Sequence, residues 1–560
     1  MMKRSLLLFV SLLLATLPAG AESRTRYIVS TTAHGEPAQL RVAAAVTDGA
    51  DPRDIRSFSI IDAFAADLTP EQAEQLRRSP GVRSVRAVVE RHLLDAAPST
   101  ALAVHADASV APQTVPYGID LIHAREVWPL TRGRGAVNVV IFDTGITVRH
   151  PDLAANIAGG YNAITRTDVG FDDDHGHGTH VAGTIAGIDN GIGVVGVAPE
   201  ARLWSVKVLD SSGSGTDETL ITAAGWVLRQ KQTRGGNWIV SMSIGDVVSS
   251  PPEQEAFQRL ADAGVLMVAA SGNGSSIILD YPAAYPFVLS VGAVDATRTL
   301  ASFSNGGTTL GLVAPGVNVL SSLPVGSVPR GSAVSAGIAP LSGFPMKLSA
   351  RGTLQGELVS CGYGGAGDCP SQTRGRIAVI WRGLNIPFAE KVRNAVAAGA
   401  TGVIIYDNIT PSSLKTWSLV RQTCDAKGCV DNESDRSYPW PMVIAMTRAD
   451  GESALQWKGN VTLTSWDDDY DQMSGTSMAT PHVAGVAALL WSIAPSATAA
   501  DIRNALFSSA HDLGDAGYDL HFGHGLVDAL DAAKTLAPGR FGSGATPAPA
   551  SQKRRRAGPH

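Results

Sequence analysis

A serine preceded by glycine and threonine opens the small-residue run GTSMATPHVAG at residues 475 to 485. If it stands at the mouth of a helix, unpaired backbone N–H groups and the positive dipole end favour negative charge there. An oxyanion forming beside Ser477 would then be met by the Ser477 N–H itself. Gly475 leaves room for a substrate backbone; the bland alternative is a helix start merely capped by serine, with Pro481 tolerated in its first turn. That alternative would show the same local pattern, so the nucleophile reading needs partners.

Two partners are legible upstream. The apolar run in VNVVIFDTGI reads as a buried parallel strand delivering Asp143 at its carboxyl end, where open α/β sheets place their sites. Apolar-Asp-Thr-Gly also marks aspartic proteases, but that chemistry needs two carboxylates sharing a proton. No second such unit occurs, and LDSSG at 209 to 213 does not fit. In HGHGTHVAGT (175 to 184), His177 stands just before a small-residue helix, within reach of a strand-end carboxylate and a serine. The three histidines could instead bind zinc, but His177 and His180 are only three apart and the glutamate of HExxH is absent; His175 reads as a loop residue. A serine hydroxyl becomes an adequate nucleophile near neutral pH only when a neighbouring base takes its proton.

The chain order Asp, His, Ser, carried by VVIFDTGI, HGHGTHVAGT and GTSMATPHVAG with VSMSIGD and VAASGNG between them, closely resembles the subtilisin-like serine proteases. The resemblance implies an α/β fold with a mostly parallel sheet flanked by helices. It makes Ser477 the attacking group, His177 the proton carrier and Asp143 the residue that holds the imidazole tautomer. Asn273 in VAASGNG would donate its amide to the oxyanion, although alone it reads as a turn residue. An extended substrate would lie between Ser243-Ile244-Gly245 and Gly213-Ser214-Gly215. Ala270-Ser271-Gly272 would wall the pocket for the residue before the scissile bond, with Asp280 at its base favouring arginine or lysine. The resemblance also implies a calcium ion held by side chains of Gln113, Asp152 and Asn190 and by backbone oxygens of Ile188, Ile192 and Val194; a metal-free glycine-rich turn is the alternative.

The remaining segments suit a secreted precursor. With 560 residues and 44% apolar content the chain exceeds one average domain, and its net charge of −6 gives no argument for nucleic acid or membrane partners. Residues 1 to 21 read as an export signal whose apolar run is too short to span a bilayer, and no other stretch is long enough and charge-free enough to anchor the chain. Residues 22 to 110 resemble the family's inhibitory propeptide, with a first strand at Tyr27 to Ser30. A helix is fixed there by Thr69, Pro70 and Gln72, and the cut is expected between Ala96 and Ala111. The catalytic domain is expected over 111–324 and 467–537. It is interrupted at 325–466 by a β-rich insertion resembling a protease-associated domain, in which GRIAVIWRG and PFAEKVRNAVAAGATGVIIYDN give strand, helix and strand. All four cysteines lie in that insertion. Cys361 with Cys369 and Cys424 with Cys429 is the favoured pairing of three, because each closes a short loop. Residues 538 to 560 read as a disordered tail.

The function expected is a secreted, monomeric endopeptidase acting on proteins or peptides and inhibited by its own propeptide. The rivals are a catalytically silent peptide-binding protein, or an acyl transferase or peptide ligase on the same scaffold.

Overall fold

The computed structural model describes residues 23–32, 35, 55–94, 112–135, 137–408, 414, 417–425 and 428–541. The expected export signal, the stretch Ala96 to Ala111 and the tail beyond 541 lie outside the described residues. The chain divides into two compact units between Val88 and Val89.

In the first unit β1 (Thr25–Thr31) has β3 (Ala63–Leu68) and β4 (Val82–Ala87) as antiparallel neighbours, with β2 (Arg56–Ser57) outside β3. Helix α1 (Pro70–Arg77) starts at the expected capping box: Gln72 N–H donates to Thr69 Oγ1 at 3.3 Å and Thr69 N–H to Gln72 Oε1 at 3.0 Å. Its buried face, Ala73 and Leu76, packs on Val29, Phe64 and Leu68.

The second unit begins with β5 (Glu90–Leu93) and is organised by a parallel sheet of seven strands. These are β6 (Val137–Asp143), β7 (Ile157–Asn162), β8 (Arg202–Lys207), β10 (Asn237–Met242), β12 (Leu266–Ala270), β13 (Leu289–Val294) and β14 (Leu312–Pro315), in the order β14-β13-β12-β10-β6-β8-β7. Every residue of β6, β12, β13 and β14 is buried, as expected of strands covered on both faces. The strand β9 (Ser214–Thr216) leads into helix α3 (Asp217–Arg234), and β11 (Ile244–Gly245) follows β10. Helix α2 (His177–Ala186) is buried throughout, and so is α6 (Thr476–Ile493) except for Ser492. A helix apolar all round belongs in a core, and α6 packs against β10, β12, β13 and β14.

The capping alternative's placement of Pro481 in the first helical turn is corrected: α6 begins at Thr476, so the proline is its sixth residue. With no N–H it cannot bond the Ser477 carbonyl four residues back. That carbonyl accepts instead from Ser243 Oγ at 2.8 Å, which ties the helix start to the end of β10.

Between β15 (Val319–Ser322) and its partner β25 (Tyr470–Met473), seven strands close a separate barrel. They are β16 (Val328–Ser335), β17 (Leu341–Pro345), β18 (Gly352–Ser360), β19 (Ile377–Trp381), β20 (Gly402–Tyr406), β23 (Met442–Met446) and β24 (Asn460–Asp468). Four of them, β18, β19, β20 and β23, run parallel. Helix α5 (Phe388–Ala397) covers this run with Ala389, Val392 and Ala395. Two disulfides lie within the barrel unit: Cys361–Cys369, and Cys424–Cys429 across the hairpin β21 (Gln422–Asp425) and β22 (Gly428–Asp431).

Candidate active site

Asp143 ends β6, the strand flanked by β10 and β8, and is fully buried. Its Oδ1 accepts from the Thr144 N–H at 2.8 Å and from His177 Nδ1 at 2.8 Å, with Oδ2 at 3.0 Å from the same ring nitrogen. A carboxylate only accepts, so Nδ1 carries the proton and Nε2 is left as the basic nitrogen. His177 is the first residue of α2, and the positive φ of Gly176 turns the chain into that helix. A Cβ at 178 would run into the Gly145 carbonyl oxygen and come 3.1 Å from Asp143 Cβ, so glycine is required there.

The other histidines do not join this pair. His180 bonds the Val319 carbonyl at 2.9 Å, and burial with His177 nearby pushes its pKa down to about 3, so it stays neutral. His175 is exposed. Among the described residues no three His, Cys, Asp or Glu side chains are grouped to hold a metal ion.

Ser477 is the second residue of α6. Its Oγ lies 3.0 Å from the carbonyl oxygen of Leu94 and 3.1 Å from that of Ser243. Asn273 Oδ1 accepts from both the N–H and the hydroxyl of Thr476, each at 2.9 Å, which turns Nδ2 outward to donate to the same Leu94 oxygen. Sequence reasoning found Asn273 but missed Thr476, whose place beside the serine was the available signal. It also missed Leu94, for which no local pattern exists.

The Leu94 carbonyl is held there by a strand on each side. The segment β5 pairs antiparallel with β11, Leu93 opposite Ile244 and His92 opposite Gly245. On the other edge it pairs with β9, Glu90, Arg91 and His92 opposite Thr216, Gly215 and Ser214. The Gly213 carbonyl accepts from the Leu93 N–H at 3.0 Å. The segments singled out for substrate, Ser243 to Gly245 and Gly213 to Gly215, thus flank an extended stretch of the chain itself.

Asp280 lies against Gly272, one of the residues expected to wall the pocket: a Cβ on Gly272 would come 2.5 Å from Asp280 Oδ2. Ala270 and Ser271 are buried beside it, and Ser271 accepts the Asp280 N–H at 3.0 Å. A Cβ on Gly245 would touch both Asp280 Cβ and Leu94 Cδ1 at 3.0 Å, so the pocket holds leucine. Burial, with the charge of Asp246 nearby, pushes the Asp280 carboxyl up to about 6.

All six residues expected around calcium meet in one loop cluster. Gln113 Nε2 donates to the carbonyls of Ile188 (2.6 Å) and Val194 (3.1 Å). Asp152 accepts from Asn190 Nδ2 at 3.0 Å and from the Val194 N–H at 2.9 Å, and Asn190 Oδ1 accepts from the Ile192 N–H. As placed, Gln113 and Asn190 turn amide nitrogens toward these acceptors, while Gln113 Oε1 accepts from the Gly191 N–H at 3.2 Å; turning both amides over would present only oxygens, the ligand chemistry of a hard cation.

Comparison with known proteins identifies the family. The subtilase family (peptidase S8) matches residues 134–339 and 383–525, together more than half of the chain, and peptidase inhibitor I9 matches residues 21–93. Subtilisin E of Bacillus subtilis is 36% identical over 276 residues, covering 49% of this chain and 66% of that protein. The thermostable alkaline protease of Halalkalibacterium halodurans is 35% identical over 313 residues, covering 56% and 78%. The matched part of the chain thus spans just under two thirds of subtilisin E. Among solved structures, the psychrophilic subtilisin-like protease Apa1 from the Antarctic psychrotroph Pseudoalteromonas sp. AS-11 shares 30% identity with a TM-score of 0.50, covering 76% of this chain and 98% of that one.

Proposed function

Because the chain belongs to the subtilase family, we propose that it is a secreted serine endopeptidase made as a precursor that processes itself. Ser477 Oγ attacks a peptide carbonyl carbon while His177 Nε2 takes the hydroxyl proton, and Asp143 stabilises the resulting imidazolium. Charge forming on the carbonyl oxygen is met by Asn273 Nδ2–H and the Ser477 N–H. Two fixed donors, one from the turn after β12 and one at the start of a buried helix, cost no reorganisation as the charge develops. Collapse of the tetrahedral intermediate sends the proton from His177 to the departing amine and leaves an acyl-serine, which water then cleaves by the same steps.

One observation carries this reading. The Leu94 carbonyl oxygen rests against both Ser477 Oγ and Asn273 Nδ2 while its strand is paired on both edges, the pose of a substrate about to be cut. The first bond cleaved is therefore Leu94–Asp95, one residue short of the stretch expected from sequence, and the released segment remains as an inhibitor until it leaves the cleft.

We assign calcium to the Gln113, Asp152 and Asn190 side chains with the carbonyls of Ile188, Ile192 and Val194. The ion would tie the segment at Gln113 to the loop after α2. At a hundred times its Kd it would add about 2.7 kcal/mol of stability, so a chelator should lower the melting temperature; an unchanged Tm removes the assignment. The barrel from Val328 to Asp468 we read as a protease-associated insertion acting on substrate access. Among the described residues no helix is long and apolar enough to cross a membrane.

The nucleophile is tested by treating the processed protein with a fluorophosphonate and mapping the adduct. Labelling at Ser477 that disappears in His177→Ala is expected. Labelling elsewhere, or undiminished labelling in the variant, overturns the assignment.

A further inference from the structure

Three residues before Leu94 on the same segment stands Arg91, whose side chain has no exposed surface. Its guanidinium forms a two-pronged pair with Glu253, Nε to Oε2 at 3.1 Å and Nη2 to Oε1 at 3.0 Å, while Nη1 donates to the Glu90 carbonyl at 2.9 Å. Glu253 is itself fully buried, in the first turn of helix α4 (Pro251–Asp262), and Tyr285 Oη donates to its Oε1 at 3.0 Å. A second buried carboxylate, Asp217 at the start of α3, accepts from Ser250 Oγ at 2.7 Å and from the Val89 N–H at 3.1 Å, and its charge acts on Arg91 and Glu253 alike. Two carboxylates thus face one guanidinium.

The two partners have different fates. Arg91 lies on the side of Leu94 that departs after cleavage; Glu253, Asp217 and Tyr285 belong to rigid helix starts and a loop that remain. A buried carboxylate stripped of its cation is costly, and the planar fork of arginine matches this site in a way the point charge of lysine does not.

We propose that this pocket is the main determinant of substrate choice: the processed protein selects chains with an arginine three residues before the residue whose carbonyl is attacked, read by Glu253 with Asp217 behind it. This deepens the endopeptidase reading and rests on it for the cleavage step.

The test uses the processed protein and peptides spanning its own residues 88 to 96, VVERHLLDA, with arginine, lysine or alanine at the fourth position, directly after the two valines and glutamate. The arginine peptide should exceed the alanine peptide by on the order of 10²-fold in kcat/KM, with lysine between them. Glu253→Gln should reduce the gap to a few-fold. A circular dichroism spectrum and melting temperature matching the wild-type protein would report intact folding of the variant. Calorimetric binding of the heptapeptide VVERHLL and its alanine counterpart reads the pocket without chemistry. Discrimination in binding without any hydrolysis would uphold the pocket and sink the endopeptidase reading. Equal kcat/KM and equal affinity for arginine and alanine peptides in the wild-type protein would overturn the pocket and leave the endopeptidase reading standing.

Discussion

Two buried carboxylates line the same cleft and meet their burial in different ways. Glu253 receives the forked guanidinium of Arg91, and Tyr285 satisfies it further. Asp280 faces an apolar leucine, its nearest donor is Asn305 Nδ2 at 3.5 Å, and its charged neighbour is another carboxylate, Asp246. A charge taken out of water must be paired or neutralised. The first pocket pairs its charge, and the second, without a cation among the described residues, has its carboxyl pushed up to about 6. An acidic side chain in a cleft therefore does not by itself announce a basic substrate residue: sequence points to arginine beside Asp280, whereas the arginine of this chain sits three residues earlier.

That contrast treats the Leu94 carbonyl as the reacting group between the two pockets, and removing its donor should have the largest effect. Asn273→Leu should lower kcat about 10²- to 10³-fold with KM little changed, as steady-state kinetics would register. A change confined to KM would mean that Asn273 binds without stabilising the transition state. Next comes the paired pocket. Arg91→Ala strands Glu253 in the unprocessed chain, and with Ser477→Ala to prevent cutting it should destabilise that chain by about 3–5 kcal/mol in chemical denaturation; no loss would mean that water reaches the pocket and solvates Glu253.

The smallest effect belongs to Asp280. Because its carboxyl is pushed up to about 6, it is mostly neutral below that pH and charged above it. The ratio of kcat/KM for arginine over leucine at the residue before the scissile bond should therefore rise about tenfold from pH 5 to pH 8. A ratio cancels the titration of His177, which affects both substrates alike. In Asp280→Asn the ratio should be flat; a wild-type ratio that is itself flat would show that Asp280 plays no part in selection.

How much of this was legible in the sequence follows from how local each feature is. The strand ending at Asp143, the helix opened by His177, the helix carrying Ser477 and the oxygen cluster around Asp152 each lie in a short run whose residue types are set by one backbone geometry, and the structure places all of them where those runs suggest. In the barrel, β19, α5 and β20 were legible as an apolar run, an amphipathic helix and a second apolar run. The strands β16, β18 and β24 were not, because polar and apolar residues mix along them and none contains a continuous apolar run. Arg91 and Glu253 are 162 residues apart, and Leu94 and Ser477 are 383 apart. No periodicity links residues so distant, so the second pocket and the bond at the nucleophile emerge only when the chain is folded.

The central claim is that Ser477 acts first on the carbonyl of Leu94. Intact-mass spectrometry of both fragments as the purified full-length precursor matures tests it most directly. The account expects a released segment ending at Leu94, a complementary chain beginning at Asp95 before any trimming, and neither fragment from Ser477→Ala. A first cut at another bond, or maturation of the Ser477→Ala chain on its own, would contradict it.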